Sequence, residues 1–277
     1  MLLLAGCGTQ FLYNRLDTLL YLYVSTQVSL HDAQAVGLRR ELREFLHWHR
    51  RAELPRYAGF LTRLADEAQA GPLPAARIDR ARLEIEDLWR ESVARGAPRA
   101  ALWLASLDAR QRGELFASLA EEDDELREEL CDAPEAQRRR ERQKTFIDAV
   151  EDWTGALDAA QRQLVAERLQ RLPASNCGWV ASRARVREAL RELIASGAGQ
   201  PDYAARVTAL LARPEDQWDP QYRAGFERTR DLVVGLLAEL DATLAPRQRA
   251  RLVAKLRGYA RDFSELAAAG GTATTAR

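Results

Sequence analysis

The sequence contains no apolar run approaching the roughly 18 residues of a membrane span, so no transmembrane helix is expected. It has no Gly-x-Ser-x-Gly elbow, phosphate-binding loop or His-Glu-x-x-His. Hydrolase, NTPase and metalloprotease readings therefore have no motif behind them, and no cofactor is implied. Glycine (16) and proline (10) are scarce among 277 residues, which argues against a sandwich, a barrel or a collagen-like chain. An excess of either charge is missing too, because 41 Lys+Arg balance 41 Asp+Glu. Without a bulk positive field, a nucleic-acid partner is not expected. Histidine is limited to His31, His47 and His49. His47 and His49 stand two apart and cannot share one helix face, whereas Glu53, four residues after His49, is a candidate partner for it. With Cys131 and Cys177 far away in sequence, a zinc site is not expected.

What remains is 47% apolar and 30% charged, a globular mixture rich in Ala, Leu, Arg and Glu that favours helix. The apolar period is helical almost throughout. It predicts helices over about 11–28, 32–54, 56–68, 75–94, 99–105, 109–131, 135–154, 159–171, 179–195, 202–212, 221–240 and 246–267. Breaks are expected at Pro55, Gly71–Pro74, Gly96 with Pro98, Pro134, Gly155, Pro173, Gly197–Gly199, Pro214 and Pro220. The reading is an all-α, elongated multi-helix bundle of about ten helices in one unit, residues 9–268. A Gly/Ala/Thr tail over 269–277 is expected to be disordered.

One local pattern occurs four times, a Leu followed four residues later by Gln: Leu30–Gln34, Leu107–Gln111, Leu157–Gln161 and Leu244–Gln248. Physically it is a capping box. The residue after Leu is the N-cap, and the Gln reaches back to the cap's backbone N–H. Asp108 and Asp158 are good caps and suit the helix dipole. His31 and Ala245 are weaker ones, and Pro246 falls where a first-turn proline is tolerated. The spacings are 77, 50 and 87 residues, so this is no solenoid period.

The chain opens Met1-Leu2-Leu3-Leu4-Ala5-Gly6-Cys7-Gly8, and Leu4-Ala5-Gly6-Cys7 resembles a bacterial lipobox, the site where a signal peptide is cut and the Cys thiol is lipidated. On that reading residues 1–8 are a residual signal peptide with its lipobox, and Cys7 is the lipidation site. Gly8 lacks the Asp of inner-membrane retention, which points to the outer membrane. The Leu-x-x-x-Gln motifs resemble the Leu-Thr-x-x-Gln motifs of small helical periplasmic stress chaperones. Three longer stretches are Tyr13-Asn14-Arg15-Leu16-Asp17, Trp48 to Ala58 (with His49, Glu53, Pro55 and Tyr57) and Glu151 to Gln161. Through them the chain resembles a family of uncharacterised proteobacterial lipoproteins. The resemblance implies an envelope lipoprotein facing the periplasm, bound to the membrane through lipid on Cys7.

With Cys7 carrying lipid, Cys131 and Cys177 form an even pair, a candidate disulfide worth roughly 3–4 kcal/mol if unstrained. The acidic run Glu121, Glu122, Asp123, Asp124, Glu125, Glu128 and Glu129 is expected to lie beside Arg138, Arg139, Arg140, Arg142 and Lys144 across a hairpin at about 132–135. Arg183, Arg185, Arg187 and Arg191, interleaved with Glu188 and Glu192, read as a solvated face. Most of the six tryptophans, Trp48, Trp89, Trp103, Trp153, Trp179 and Trp218, fall at apolar helix positions and read as core. No catalytic residue is singled out. The expected function is binding or scaffolding, in its sharpest form a chaperone-like grip on unfolded envelope proteins by an apolar concave surface rimmed by Arg. A cell-envelope enzyme without a recognisable motif and a cytoplasmic helical interaction protein are the alternatives.

Overall fold

A computed structural model describes residues 4–172 and 176–272, and among them there is no strand. The helices are α1 (Leu4–Tyr13), α2 (Leu16–Gln27), α3 (Asp32–Ala52), α4 (Leu54–Ala70), α5 (Ala75–Ala105), α6 (Ala109–Arg127), α7 (Glu135–Thr154), α8 (Ala159–Leu169), α9 (Asn176–Gly197), α10 (Tyr203–Ala212), α11 (Pro220–Ala242) and α12 (Pro246–Thr272). A π-helical turn, Glu128–Asp132, follows α6, and a 3-10 turn, Pro214–Gln217, precedes α11. None of the helices is long and apolar enough to cross a membrane, among the described residues. The side chain of Cys7, the break at Pro173 and the tail beyond Thr272 lie outside the described residues. Of the expected tail, 269–272 continue α12.

The core is divided rather than central. One cluster joins Ala101, Leu104 and Leu107 to Leu115, Phe116, Ile194, Tyr203 and Val207. A second holds Ile147, Leu157, Val165, Leu169, Leu236 and Leu240. A third sits between α4 and α12, where Ala65 and Ala68 meet Val253 and Leu256. The alanines let the two backbones approach closely. Arg257 pairs with Asp66, and Arg249 donates to the carbonyl of Ala68, so α12 runs antiparallel to α4. The accessible surface is 16389 Å². A compact chain of 31.1 kDa would show roughly 12,000 Å². The bundle is therefore open, with much helix surface facing water.

The backbone departs from the expected breaks at two places. The helix expected over 11–28 is split at Asn14–Arg15 into α1 and α2. The break expected at Gly96 with Pro98 does not occur, because α5 runs through both residues. Pro98 removes one ladder hydrogen bond, a cost of about 3 kcal/mol in an exposed helix. Here Ala97 and Ala101 bury α5 on either side of it, and α10 and α11 pack along the same helix. Gly96 is a packing residue rather than a stop: a Cβ there would stand 3.1 Å from the Phe45 ring of α3. Gly155 does act as a stop, closing α7 at φ 83°, a conformation that favours glycine.

The charge runs also pair differently from expectation. Asp123, buried in α6, receives Arg183 at 2.8 Å and the Arg187 guanidinium, both from α9. Arg183 also lies 3.6 Å from Glu122. On α7, Arg139 and Lys144 pair with Glu135 and Asp148 of their own helix. The α9 arginines are thus a bridge to α6 and not only a solvated face, because a buried carboxylate demands a charged partner. Among the tryptophans, Trp103 and Trp153 pack against core clusters, whereas Trp89 and Trp179 are exposed.

Candidate functional site

The joint between α3 and α4 gathers the motif residues around His49. Phe45, Trp48 and His49 lie on the last turns of α3, with the Trp48 ring at 5.6 Å from Phe45 and 6.3 Å from His49. The backbone turns at Glu53, whose N–H donates to the His49 carbonyl and whose own carbonyl accepts from Arg56 and Tyr57. Pro55 sits in the first turn of α4, where its missing N–H costs nothing. The Glu53 carboxylate is buried and accepts from Arg56, which also reaches Glu91 of α5. Glu53 is therefore not the partner of His49 that its spacing suggested. An i,i+4 neighbour on a helix competes with whatever tertiary packing brings closer, and here that is two tyrosines.

His49 Nδ1 lies 2.9 Å from the Tyr13 hydroxyl, and Nε2 lies 3.1 Å from the Tyr57 hydroxyl. Tyr57 continues to Ser92 Oγ at 3.1 Å, and Ser92 donates to the Leu88 carbonyl at 3.2 Å. The carbonyl can only accept, which gives the chain one direction. Ser92 donates to Leu88 and accepts from Tyr57. Tyr57 in turn accepts from His49 Nε2–H. Nδ1 is left as the acceptor for Tyr13. Every group is satisfied by a neutral imidazole. Burial lowers the His49 pKa below 6.5 and pushes the Tyr13 hydroxyl up to about 12. Both are neutral at pH 7, and among the described residues the ring bonds two tyrosines and no carboxylate, unlike the histidine of a nucleophilic triad. Its evident work is to tie α1, α3, α4 and α5 together by one half-buried polar thread.

That arrangement has a measurable consequence. A His whose folded pKa is depressed contributes its full stability above its ordinary pKa, and loses it as pH falls through the folded value. His49→Gln, which can still donate and accept, is expected to cost about 1 kcal/mol near pH 7.5. The gap from wild type should narrow as the pH drops below 6.5, in urea melts taken across that range. A gap independent of pH would show that His49 is not the half-buried neutral group described.

The four capping glutamines do more than cap. Each closes its own box, with the backbone N–H of His31, Asp108, Asp158 and Ala245 donating to Gln34, Gln111, Gln161 and Gln248 at 2.9–3.1 Å. They then meet in pairs. Gln34 and Gln111 exchange reciprocal amide bonds of 3.0 and 2.6 Å. Gln161 and Gln248 do the same at 3.0 and 2.9 Å. Each amide also donates to the carbonyl just before the partner's Leu: Gln111 to Ser29, Gln34 to Ser106, Gln161 to Thr243 and Gln248 to Ala156. The motif is thus a clasp between two helix starts, made twice. Sequence reasoning found the caps and missed the clasps, as it missed Ser92, whose partners lie far along the chain.

The structure also brings Cys131 and Cys177 together. Both thiols are free. Arg138 donates to the Cys131 carbonyl and lies 3.9 Å from the Cys177 sulfur. Burial first, and then hydrogen bonding to Cys177, pushes the Cys131 thiol up to about 11. Beside them a groove of about 740 Å³ runs between the π-turn and α7 on one side and the end of α8 and the middle of α11 on the other. Leu130, Phe146, Leu172 and Val233 make it apolar, and Arg138 and Glu141 supply charge. Among the described residues no three His, Cys, Asp or Glu side chains are grouped as metal ligands would be.

No curated protein and no solved structure matches this chain. The profile of a family of unknown function (DUF6279) matches residues 26–223, from the end of α2 into α11, and the chain belongs to that family.

Proposed function

We propose that the protein is a lipid-anchored component of the bacterial cell envelope, held at the outer membrane through lipid on Cys7 and facing the periplasm. There it grips unfolded envelope proteins rather than catalysing a reaction. The observation that carries this reading is the groove beside α7, lined by apolar side chains together with Arg138 and Glu141. Its volume lies within the range of binding sites, about 300–1,000 Å³. An open trough of this kind fits an apolar stretch of chain with flanking charges better than it fits a small rigid substrate. The Leu-Ala-Gly-Cys sequence supports the envelope location.

The test of the grip uses the full chain as Cys7→Ser with a denatured client. Suppression of aggregation is expected near a one-to-one ratio. Leu130→Glu places a charge in the groove on a partly exposed wall residue. It should raise the amount of protein required about tenfold while leaving the helical signal intact. No suppression at about tenfold excess of the unsubstituted chain would end this reading. The anchor is tested by intact mass of protein taken from native membranes and expressed with its upstream DNA. Cys7 as first residue bearing diacylglycerol is expected. A soluble protein starting at an unmodified Met1 would sink the envelope location.

A further inference from the structure

We infer that Cys131 and Cys177 are a redox switch on the wall of the groove, closing a disulfide that ties the π-turn to the start of α9. The inference rests on the groove being the working site, and adds how its shape is controlled. Cys131 lies inside the π-turn, and its neighbours Leu130 and Ala133 line the groove. Arg138 lines the same groove, donates to the Cys131 carbonyl and reaches the Cys177 sulfur. One guanidinium therefore connects the groove wall with both cysteines. Cys177 is exposed and Cys131 is partly so, which leaves the pair open to an oxidant. The π-helical turn interrupts the regular α-helical ladder that α6 keeps up to Arg127, a form of turn frequent at functional sites. The oxidant is a disulfide, small or protein-borne. Two thiols give up two protons and two electrons, and the Cys131–Cys177 bond forms. The oxidant's own S–S bond breaks to yield two thiols. With Cys131 protonated at neutral pH, closure accelerates as pH rises.

The full chain as Cys7→Ser is treated with oxidised glutathione and then with dithiothreitol, and followed by peptide mapping without reduction, hydrogen exchange and melting. The expected result is a Cys131–Cys177 cross-linked peptide with slower exchange over 128–142. The Tm should rise by about 5 °C, and all three changes should reverse on reduction. Cys131→Ser with Cys177→Ser should show none of them. Glutathione attached singly to each cysteine, or thiols left unreacted, would overturn the inference because the sulfurs do not meet. A cross-link that leaves exchange over 128–142 unchanged would overturn control of the groove. Client suppression absent in both redox states would instead overturn the proposed grip, and the exchange result would still decide the switch.

Discussion

Gln111→Ala should destabilise the protein by about 2–3 kcal/mol, far more than loss of an exposed cap. The side chain is fully buried. It accepts the Asp108 N–H and donates to the Ser29 carbonyl and to Gln34. Truncation removes a helix cap, takes from the Ser29 carbonyl its Gln111 donor and strips Gln34 of both bonds of the reciprocal pair. Gln161→Ala should cost about the same, since Gln161 is 2% exposed and holds the equivalent bonds. Two further variants separate the cap from the clasp. Gln111→Glu keeps the acceptor for the cap but has no donor for Ser29 and sets a carboxylate against the Gln34 carbonyl oxygen, so it should be no better than alanine. Gln34→Ala with Gln111→Ala should cost less than the two single changes added, because each single change already breaks the reciprocal pair. Urea melts give all these values. A loss below about 0.5 kcal/mol for Gln111→Ala, or strict additivity of the pair, would show that the clasp contributes little.

Asp123→Asn is expected to be costlier still, about 3–5 kcal/mol. Asp123 holds Arg183 and Arg187 from α9, and its side chain is 8% exposed. Removing its charge leaves the Arg187 guanidinium, itself 19% exposed, without its counter-ion between α6 and α9. The loss should concentrate on the packing of these helices, where α9 meets the first core cluster through Ile194. The instructive comparison is the triple replacement Asp123→Leu, Arg183→Met and Arg187→Met. Apolar side chains of similar volume pay no desolvation, so the triple variant should recover most of the stability lost by Asp123→Asn alone. A triple variant as unstable as the single one would mean that the network's hydrogen bonds, including Arg187 to the Leu119 carbonyl, matter more than its uncompensated charge.

Much of the fold was legible because its signals are local. The helical period, the stops at Gly155 and Pro134, and the capping boxes at Asp108 and Asp158 each depend on groups within about four residues of one another, which fix backbone N–H and C=O partners whatever the rest of the chain does. The candidate site was legible only as a stretch: Trp48, His49, Glu53, Pro55 and Tyr57 were found together, but the partners of His49 were not. The sequence offered Glu53 at i+4, and the tertiary structure gave Glu53 to Arg56 and brought Tyr13 to His49 from 36 residues away. Pro98 shows the same limit. Its local preference is to stop a helix, and burial of Ala97 and Ala101 outweighs that preference.

By itself, then, the sequence determined that the chain is helical, where most helices begin and end, and that four of them carry a capping glutamine in the first turn. Only the tertiary structure decided that Gln34 pairs with Gln111 and Gln161 with Gln248, that Asp123 answers α9 rather than α7, and that Cys131 stands beside Cys177. Those choices link residues 46 to 87 positions apart. Each is set by the summed burial of many apolar side chains along whole helices, a quantity that no short stretch of sequence carries.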